Sequence, residues 1–85
     1  MKYRGRTEIL DNILGAANGG ATKTKTMYKS FLSYDQLKEY LSVLIETNLI
    51  EYVDGIQNYR TTEKGLHYLI MHNELELLLT KIKNN

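Results

Sequence analysis

The chain has 85 residues, with 11 basic and 10 acidic side chains and a formal net charge of +1. This length is typical of one small domain with a modest core. The absence of cysteine excludes disulfides, thiolate zinc sites and cysteine nucleophiles. No apolar run approaches the roughly 18 residues of a membrane span, and no basic-then-apolar leader opens the chain, so we expect a cytoplasmic protein without a membrane partner.

The charges are distributed unevenly along the chain. Residues 1–38 carry seven basic and three acidic side chains, whereas residues 39–85 carry four basic and seven acidic side chains. This asymmetry predicts one electropositive surface on a protein that is nearly neutral as a whole.

Residues 1–6 are basic, and we expect them to form a solvated tail. A first helix is predicted next, with Thr7 as its N-cap and Asn18-Gly19-Gly20 as its stop signal. Its apolar residues recur at helical spacing: Ile9, Leu10, Ile13, Leu14 and Ala17.

A second helix is predicted from Thr22 to Phe31. Met27 and Phe31, four residues apart, are its expected core contacts. Lys23, Lys25, Tyr28 and Lys29 are expected on its solvent side. They are either an ordinary solvated surface or contacts to phosphate, and we favour phosphate contact.

A third helix is predicted over residues 33–47, and the rest of the chain can be read as supporting it. Ser33 and Gln36 have the spacing of a capping box. Asn48 tolerates the left-handed conformation at a helix C-terminus. One face is apolar at i, i+3, i+4, i+7 and i+8, through Leu37, Tyr40, Leu41, Leu44 and Ile45. The second helix ends just before Leu32, so the two form a helix-turn-helix.

Two β-prone runs on either side of Asp54-Gly55 predict a hairpin. The connection is either a tight Asp-Gly turn or a longer tip from Asp54 to Asn58.

A last helix is predicted from Glu63 to Lys83, capped by Thr61 or Thr62, with Leu66, Leu69 and Ile70 covering the core. Further along, Leu75, Leu77, Leu78 and Leu79 leave no polar face for water. We therefore expect a homodimer through this helix. The predicted interface residues are Tyr68, His72, Leu75, Leu78, Leu79 and Ile82.

No catalytic arrangement, cofactor site or metal site is expected. His67 and His72 are five residues apart and do not share a helix face, and His72 with Glu76 is expected to be a helix pair.

The order of these elements predicts a mainly α fold with a small β-hairpin, a winged helix-turn-helix. We expect a DNA-binding domain over residues 1–62 and a C-terminal helix over residues 63–85 that packs on it and dimerises.

Several segments also resemble the small archaeal winged-helix DNA-binding proteins. These are residues 24–29, 32–34, 36–37, 40–41, 48–50 and 61–65, and the run from Met27 to Leu41 is the most specific. The resemblance implies binding of double-stranded DNA as a homodimer joined by an antiparallel coiled coil, in a chromatin-associated or regulatory role. Thr26 and Phe31 depart from the usual residue types of that family, and the last helix is shorter than in its long coiled-coil members.

We therefore expect residues 33–47 to lie in the major groove of DNA. The residues expected at base edges are Tyr34, Gln36, Lys38 and Ser42. Those expected at the DNA backbone are Lys23, Lys25, Tyr28, Lys29 and Ser33. On the hairpin, Gln57, Asn58 and Arg60 are expected at the backbone or minor groove. The alternative is a winged helix used only for protein–protein contact, which the low net charge and the carboxylates of Asp35 and Glu39 support.

Overall fold

A computed structural model describes residues 5–83 of the chain, so Lys2 and Arg4 of the expected tail lie outside the described residues. Four helices and one antiparallel hairpin follow in the predicted order. The elements are α1 (Arg6–Ala16), α2 (Lys23–Ser30), α3 (Tyr34–Glu46), β1 (Ile50–Val53), a 3-10 turn (Asp54–Ile56), β2 (Asn58–Thr61) and α4 (Glu63–Lys83). The predicted fold class is confirmed.

The capping box predicted for α3 is confirmed. The amide of Gln36 donates to Ser33 Oγ at 3.2 Å, and the amide of Ser33 donates to Gln36 Oε1 at 3.0 Å. At the other end, Asn48 has a left-handed backbone with φ of 65°. Both ends of this helix are therefore determined by local hydrogen-bonding chemistry, as the sequence predicted.

The N-cap predicted for α1 is wrong. The helix begins at Arg6, its N-cap is Gly5, and the Gly5 carbonyl accepts the first helical bond from the Ile9 amide at 3.0 Å. Thr7 therefore lies inside the first turn. The predicted stop is confirmed, because Gly19 and Gly20 have φ of 87° and 102°.

The core contact predicted for Phe31 is also wrong. Phe31 follows α2 in a left-handed conformation (φ 56°, ψ 44°) and is 81% exposed. Because the backbone leaves the helix there, the four-residue spacing from Met27 does not carry the ring to the buried face. Thr26 and Ser30 are buried instead, and the Thr26 hydroxyl donates to the Thr22 carbonyl at 2.8 Å.

The buried core is formed mainly by α1 and α3, with one residue each from the turn between α2 and α3 and from β1. Met27, Tyr40, Leu49, Tyr59, Tyr68 and Leu69 are among the partly buried side chains around it. The buried apolar residues that form this contiguous cluster are Ile13, Leu14, Ala17, Leu32, Leu37, Leu41, Leu44 and Ile50.

The hairpin has the longer tip. Val53 pairs with Asn58, so residues 54–57 connect the strands. A tight two-residue turn of type I′ needs a positive φ at both central residues, whereas within this connection only Gln57 has one. The tight Asp-Gly turn is therefore wrong. Ala21 forms an isolated antiparallel β-bridge with Tyr59, exchanging two backbone hydrogen bonds of 2.8 Å.

Thr62 is the residue that caps α4. Its hydroxyl accepts from the Gly65 amide at 3.0 Å, whereas the buried Thr61 hydroxyl donates to the Leu14 carbonyl at 2.6 Å. Gly65 lies against the turn that follows α3, where an added Cβ would stand 2.2 Å from the Leu49 carbonyl oxygen. The start of α4 is thus held closely against the turn that follows α3 and against Thr61 at the end of β2.

The face that α4 turns to the core differs in part from the predicted one. Gly65, Tyr68, Leu69 and His72 recur at i, i+3, i+4 and i+7 and are buried or half-buried. Ile70 lies outside this stripe and is 50% exposed, so its predicted core role is wrong. From Asn73 to Ile82 every residue is exposed.

Candidate nucleic-acid interface

Lys23 and Tyr34 join the N-terminal ends of α2 and α3. Lys23 Nζ donates to the Tyr34 hydroxyl at 3.3 Å and lies 4.9 Å from the centroid of its ring. The N-cap of α2 supports this position, because Thr22 Oγ1 accepts from the Lys25 amide at 3.1 Å. The first turns of both helices are therefore held side by side.

The hydrogen bond to Tyr34 raises the pKa of Lys23 above its ordinary value, and the nearby Tyr59 acts in the same direction. Both interactions favour the charged ammonium, which is the form that an exposed lysine already has at neutral pH.

A groove of about 240 Å³ opens beside this contact, between α2, α3 and β2. Its polar rim consists of Lys23, Tyr34, Lys38, Ser42 and Tyr59. Its floor is apolar and consists of Leu37, Leu41 and Ile45. Three of the four residues expected at base edges thus lie around one groove.

Gln36 does not line this groove. Its side-chain oxygen accepts from the Ser33 amide, and the Ser33 hydroxyl accepts from the Gln36 amide. A bidentate contact of Gln36 to adenine would require that oxygen to be shared or released. A phosphate contact by Ser33 would likewise require its hydroxyl to be shared with, or released from, the Gln36 amide.

The lysines of α2 point in different directions. Successive helical residues are separated by about 100°, so Lys25 lies roughly half a turn from Lys23. Lys25, Tyr28 and Lys29 are exposed and share the opposite side of the helix. Of the three lysines in this helix, Lys23 is the one that lines the groove beside α3.

The outward face of α3 carries both signs of charge. Asp35, Lys38, Glu39, Ser42 and Val43 line a shallow surface there, and Val43 is 55% exposed. Asp35 lies in the first turn, where the helix dipole favours a carboxylate.

A second groove, of about 420 Å³, separates the start of α2 from the hairpin. Gln57 is exposed at the hairpin tip and lines it. The other lining residues are Thr22, Lys23, Thr24, Tyr52, Ile56 and Tyr59.

A family model described as winged helix-turn-helix matches residues 3–80 of the chain. The chain belongs to this family. Among curated proteins, no sequence matches it. In a winged helix-turn-helix, α2 and α3 are the helix-turn-helix and the hairpin is the wing.

The three wing residues predicted to contact DNA differ in how available their side chains are. Arg60 donates from both Nε and Nη2 to Glu51 Oε2, at 3.1 and 3.0 Å, so a DNA contact would require it to leave Glu51. Asn58 is half-buried, and its Nδ2 would stand 3.1 Å from a Cβ added at Gly20. Gln57 is exposed at the hairpin tip.

Tyr52 and Tyr59 are residues of the wing that sequence reasoning missed. They are a cross-strand pair with ring centroids 5.0 Å apart, and both line the second groove. The strand period of two could have identified them, because each lies two residues from the buried pair Ile50 and Thr61 and so shares its face, whereas the exposed pair Glu51 and Arg60 lies between them.

The predicted interface residues Tyr68 and His72 contact their own domain. His72 Nδ1 contacts Asp11 Oδ2 of α1, and the Tyr68 ring stacks on the imidazole at 6.3 Å. The expected helix pair is present, with His72 Nε2 3.8 Å from Glu76 Oε2. By contrast, Leu75, Leu78, Leu79 and Ile82 are each at least 50% exposed.

Within residues 5–83, no group of three or more histidine or acidic side chains is arranged to hold a metal ion. None of the helices in this described part is long and apolar enough to cross a membrane.

Proposed function

We propose that the protein binds double-stranded DNA as a homodimer, with α3 in the major groove, and acts as a transcriptional regulator or nucleoid-associated protein. The observation that carries the proposal is the Lys23–Tyr34 contact. It joins the first turns of α2 and α3 around a groove that Lys38 and Ser42 also line. In helix-turn-helix proteins the N-terminal residues of the second helix meet base edges.

Lys38 and Ser42, one turn apart on α3, are the proposed base-reading residues. Lysine can donate to the N7 and O6 acceptors of guanine, and serine can contact several bases. Tyr34 stands at the mouth of the groove and is 48% exposed. Gln36 can contact a base only if its side-chain oxygen is shared with, or released from, the Ser33 amide.

The phosphate contacts are proposed for α2. Lys23 is the central contact, because its charge faces the groove. The other proposed contacts are Lys25, Tyr28 and Lys29 on adjacent phosphates, and Ser33 at the start of α3. On the wing, the proposed contacts to the backbone or minor groove are Gln57 at the exposed hairpin tip, Asn58 and Arg60.

The dimer is proposed through the C-terminal part of α4. Leu75, Leu78, Leu79 and Ile82 recur at i, i+3, i+4 and i+7 and so form one apolar stripe, while the charged Glu76 lies beside it. Burying each of these side chains contributes about 1.5–3 kcal/mol. A two-fold pairing of the stripe with itself would hold two winged domains at a fixed distance, with residues 1–62 binding DNA and residues 63–85 linking the copies.

One observation favours the second candidate function, a winged helix that contacts only proteins. The outward face of α3 carries Asp35 and Glu39 beside Lys38, together with the exposed Val43. Such a mixed and partly apolar surface also suits a protein partner.

Binding to random and selected duplex DNA at several salt concentrations tests the proposal. Duplex binding requires that log affinity falls steeply with log salt, because phosphate contacts release counterions. Retention on DNA with no dependence on salt, or no retention at all, would favour the protein-contact function.

Lys38→Ala tests the placement of α3. We expect a loss of about 1–3 kcal/mol on preferred sites and relaxed discrimination at the base that Lys38 contacts, because a base-edge contact is sequence-specific. Lys81→Ala, on the exposed part of α4, is the matched control and should leave discrimination unchanged. A uniform loss across all sequences would assign Lys38 to a phosphate, and no loss would contradict placement of α3 in the groove.

A further inference from the structure

The residue of α3 that points most directly away from the core is Glu39. It lies two positions after the buried Leu37 and two before the buried Leu41, so it is about 200° around the helix from each of them. Asp35 and Val43 lie one turn before and one turn after it, and all three line the shallow outward surface of α3. A reading helix that enters the major groove therefore brings Glu39 closest to the base edges.

No ion pair and no effect of the helix dipole accounts for the Glu39 carboxylate. Asp35 lies in the first turn of α3, where the positive end of the dipole favours it, whereas Glu39 lies beyond that turn. The two are four residues apart, and like charges at this spacing are unfavourable for a helix. Within residues 5–83 the Glu39 carboxylate takes part in no ion pair. On a surface that meets phosphates, such a group weakens binding to every sequence that offers it no donor.

Cytosine is the base whose major-groove edge matches a carboxylate. Its N4 amino group is a donor, whereas guanine presents two acceptors and thymine presents the O4 acceptor. Adenine also has an amino donor, but its neighbouring N7 acceptor repels a carboxylate. Thymine additionally carries a C5 methyl group, which apolar side chains contact. Val43, which is 55% exposed, supplies such a side chain one turn after Glu39.

We propose that Glu39 reads cytosine and that Val43 contacts a thymine methyl group in the target duplex. The Glu39 carboxylate accepts from cytosine N4, and the adjacent Lys38 donates to the guanine acceptors. C·G base pairs thus satisfy both charges, while at other sequences the carboxylate faces acceptors and phosphates without a donor. Glu39 therefore raises specificity by penalising wrong sequences and not by adding general affinity.

This inference rests on the proposed binding of duplex DNA and deepens it by naming bases that α3 reads. Lys38 and Ser42 line the groove beside the wing, whereas Glu39 and Val43 lie on the outward surface next to them. One helical turn rises about 5.4 Å and base pairs are about 3.4 Å apart. Each half-site should therefore contain an invariant cytosine, with a thymine about one or two base pairs from it.

Glu39→Ala separates base reading from general repulsion. The target site is selected from random duplexes with the unmodified protein, and fluorescence anisotropy then gives affinities for this site and for a random duplex of the same length. The affinity of Glu39→Ala for the selected site should fall by about fivefold or more, whereas its affinity for the random duplex should stay equal or rise. Glu46→Ala is the matched control, because Glu46 lies seven residues later on the same side, at the end of α3. It should change both affinities by the same factor.

Two further comparisons test the identity of the bases. Glutamine matches adenine, so Glu39→Gln should shift the preference at the contacted position from cytosine toward adenine. Replacing thymine by uracil removes the C5 methyl group and should weaken binding of the unmodified protein, whereas Val43→Ala should bind both duplexes equally. Both positions are exposed, so thermal unfolding of each variant should stay close to that of the unmodified protein.

Several outcomes would overturn the inference. For Glu39 these are a selected site without an invariant cytosine, an equal change of both affinities in Glu39→Ala, or an unshifted base preference in Glu39→Gln. For Val43 it is equal binding of the thymine and uracil duplexes by the unmodified protein.

Salt dependence and Lys38→Ala show which proposal has failed. If duplex affinity falls with salt and Lys38→Ala relaxes discrimination, but Glu39→Ala does not, base reading by Glu39 fails alone. If the unmodified protein has no salt-dependent affinity for duplex DNA, the proposed function fails and this inference fails with it.

Discussion

The side chain of Gln36 serves the fold and was also expected to read DNA. Its oxygen accepts from the Ser33 amide at 3.0 Å, which satisfies a donor that the helix itself leaves unpaired. Asparagine or glutamine can read adenine only when both the oxygen and the nitrogen face the base. Two demands therefore compete for one side chain.

Gln36→Glu and Gln36→Ala should separate these demands. Glutamate also completes a capping box, so Gln36→Glu should unfold near the temperature of the unmodified protein, whereas Gln36→Ala should lose about 0.5–1 kcal/mol of stability. Gln36→Glu should also weaken DNA binding, because it adds a carboxylate near phosphates. Thermal unfolding and duplex titration measure both effects. An unchanged midpoint in Gln36→Ala would show that the bond from the Ser33 amide to the Gln36 side chain contributes nothing to stability. Lost discrimination beyond its effect on stability would put the amide at a base.

At the scale of single elements, α2 presents its lysines on two sides. Lys23 is held by Tyr34 beside the groove, whereas Lys25 and Lys29 lie roughly half a turn away. Phosphate contacts on the two sides of α2 can therefore be tested separately, with substitutions of Lys23 on one side and of Lys25 and Lys29 on the other.

Lys23→Ala and the double variant Lys25→Ala with Lys29→Ala should both weaken duplex binding without changing sequence preference. Each lost phosphate contact should flatten the slope of log affinity against log salt by about 0.9. Titrations at several salt concentrations give this slope directly. A slope that does not change in the double variant would mean that Lys25 and Lys29 are merely solvated.

The start of α4 depends on a close approach at Gly65. In Gly65→Ala the new Cβ would stand 2.2 Å from the Leu49 carbonyl oxygen and 2.9 Å from Thr61 Cγ2. The backbone must shift, and we expect a loss of about 1–3 kcal/mol in the free energy of unfolding, measured with denaturant.

Gly15→Ala is the matched control, because it lies in α1 with open space around it. There alanine should stabilise the helix by about 0.5–1 kcal/mol. Equal effects of the two changes would contradict the close packing of α4.

For the whole molecule, the distribution of apolar side chains on α4 decides how copies assemble. The first half of the helix packs its stripe on the domain, and the second half is exposed on every side. The molecule measures 50 Å along its longest axis and 19 Å along its shortest. A projecting helix of this kind is suited to pairing with a second copy.

Leu75→Lys together with Leu79→Lys should split the proposed dimer. Both side chains are about half exposed, so the domain should stay folded while DNA affinity falls through the loss of the second reading helix. Leu77→Lys is the control, because Leu77 lies roughly half a turn from Leu75 and outside the stripe. Sedimentation at micromolar concentration is the decisive measurement. The unmodified protein should have twice the chain mass of 9.9 kDa, and a mass near that of one chain would exclude the dimer.

The sequence by itself determined the features that depend on neighbouring residues. The Ser33–Gln36 cap, the left-handed Asn48, the glycine stop after α1 and the apolar face of α3 all follow from short-range hydrogen bonds and helical period. Together they specified the order of elements and the winged helix-turn-helix fold. The same local signals did not distinguish Gly5 from Thr7 as the first cap, because both positions allow a helix to begin.

Only the tertiary structure decided what depends on residues far apart in the chain. The Lys23–Tyr34 contact, the pairing of Ala21 with Tyr59 and the bond from Thr61 to Leu14 each join separate elements, and no local pattern encodes them. Phe31 was assigned to the core because helical spacing was extended past the point where the backbone leaves the helix. The core stripe of α4 was likewise set by the position of α1, because Asp11 meets His72 only when the two helices are packed together.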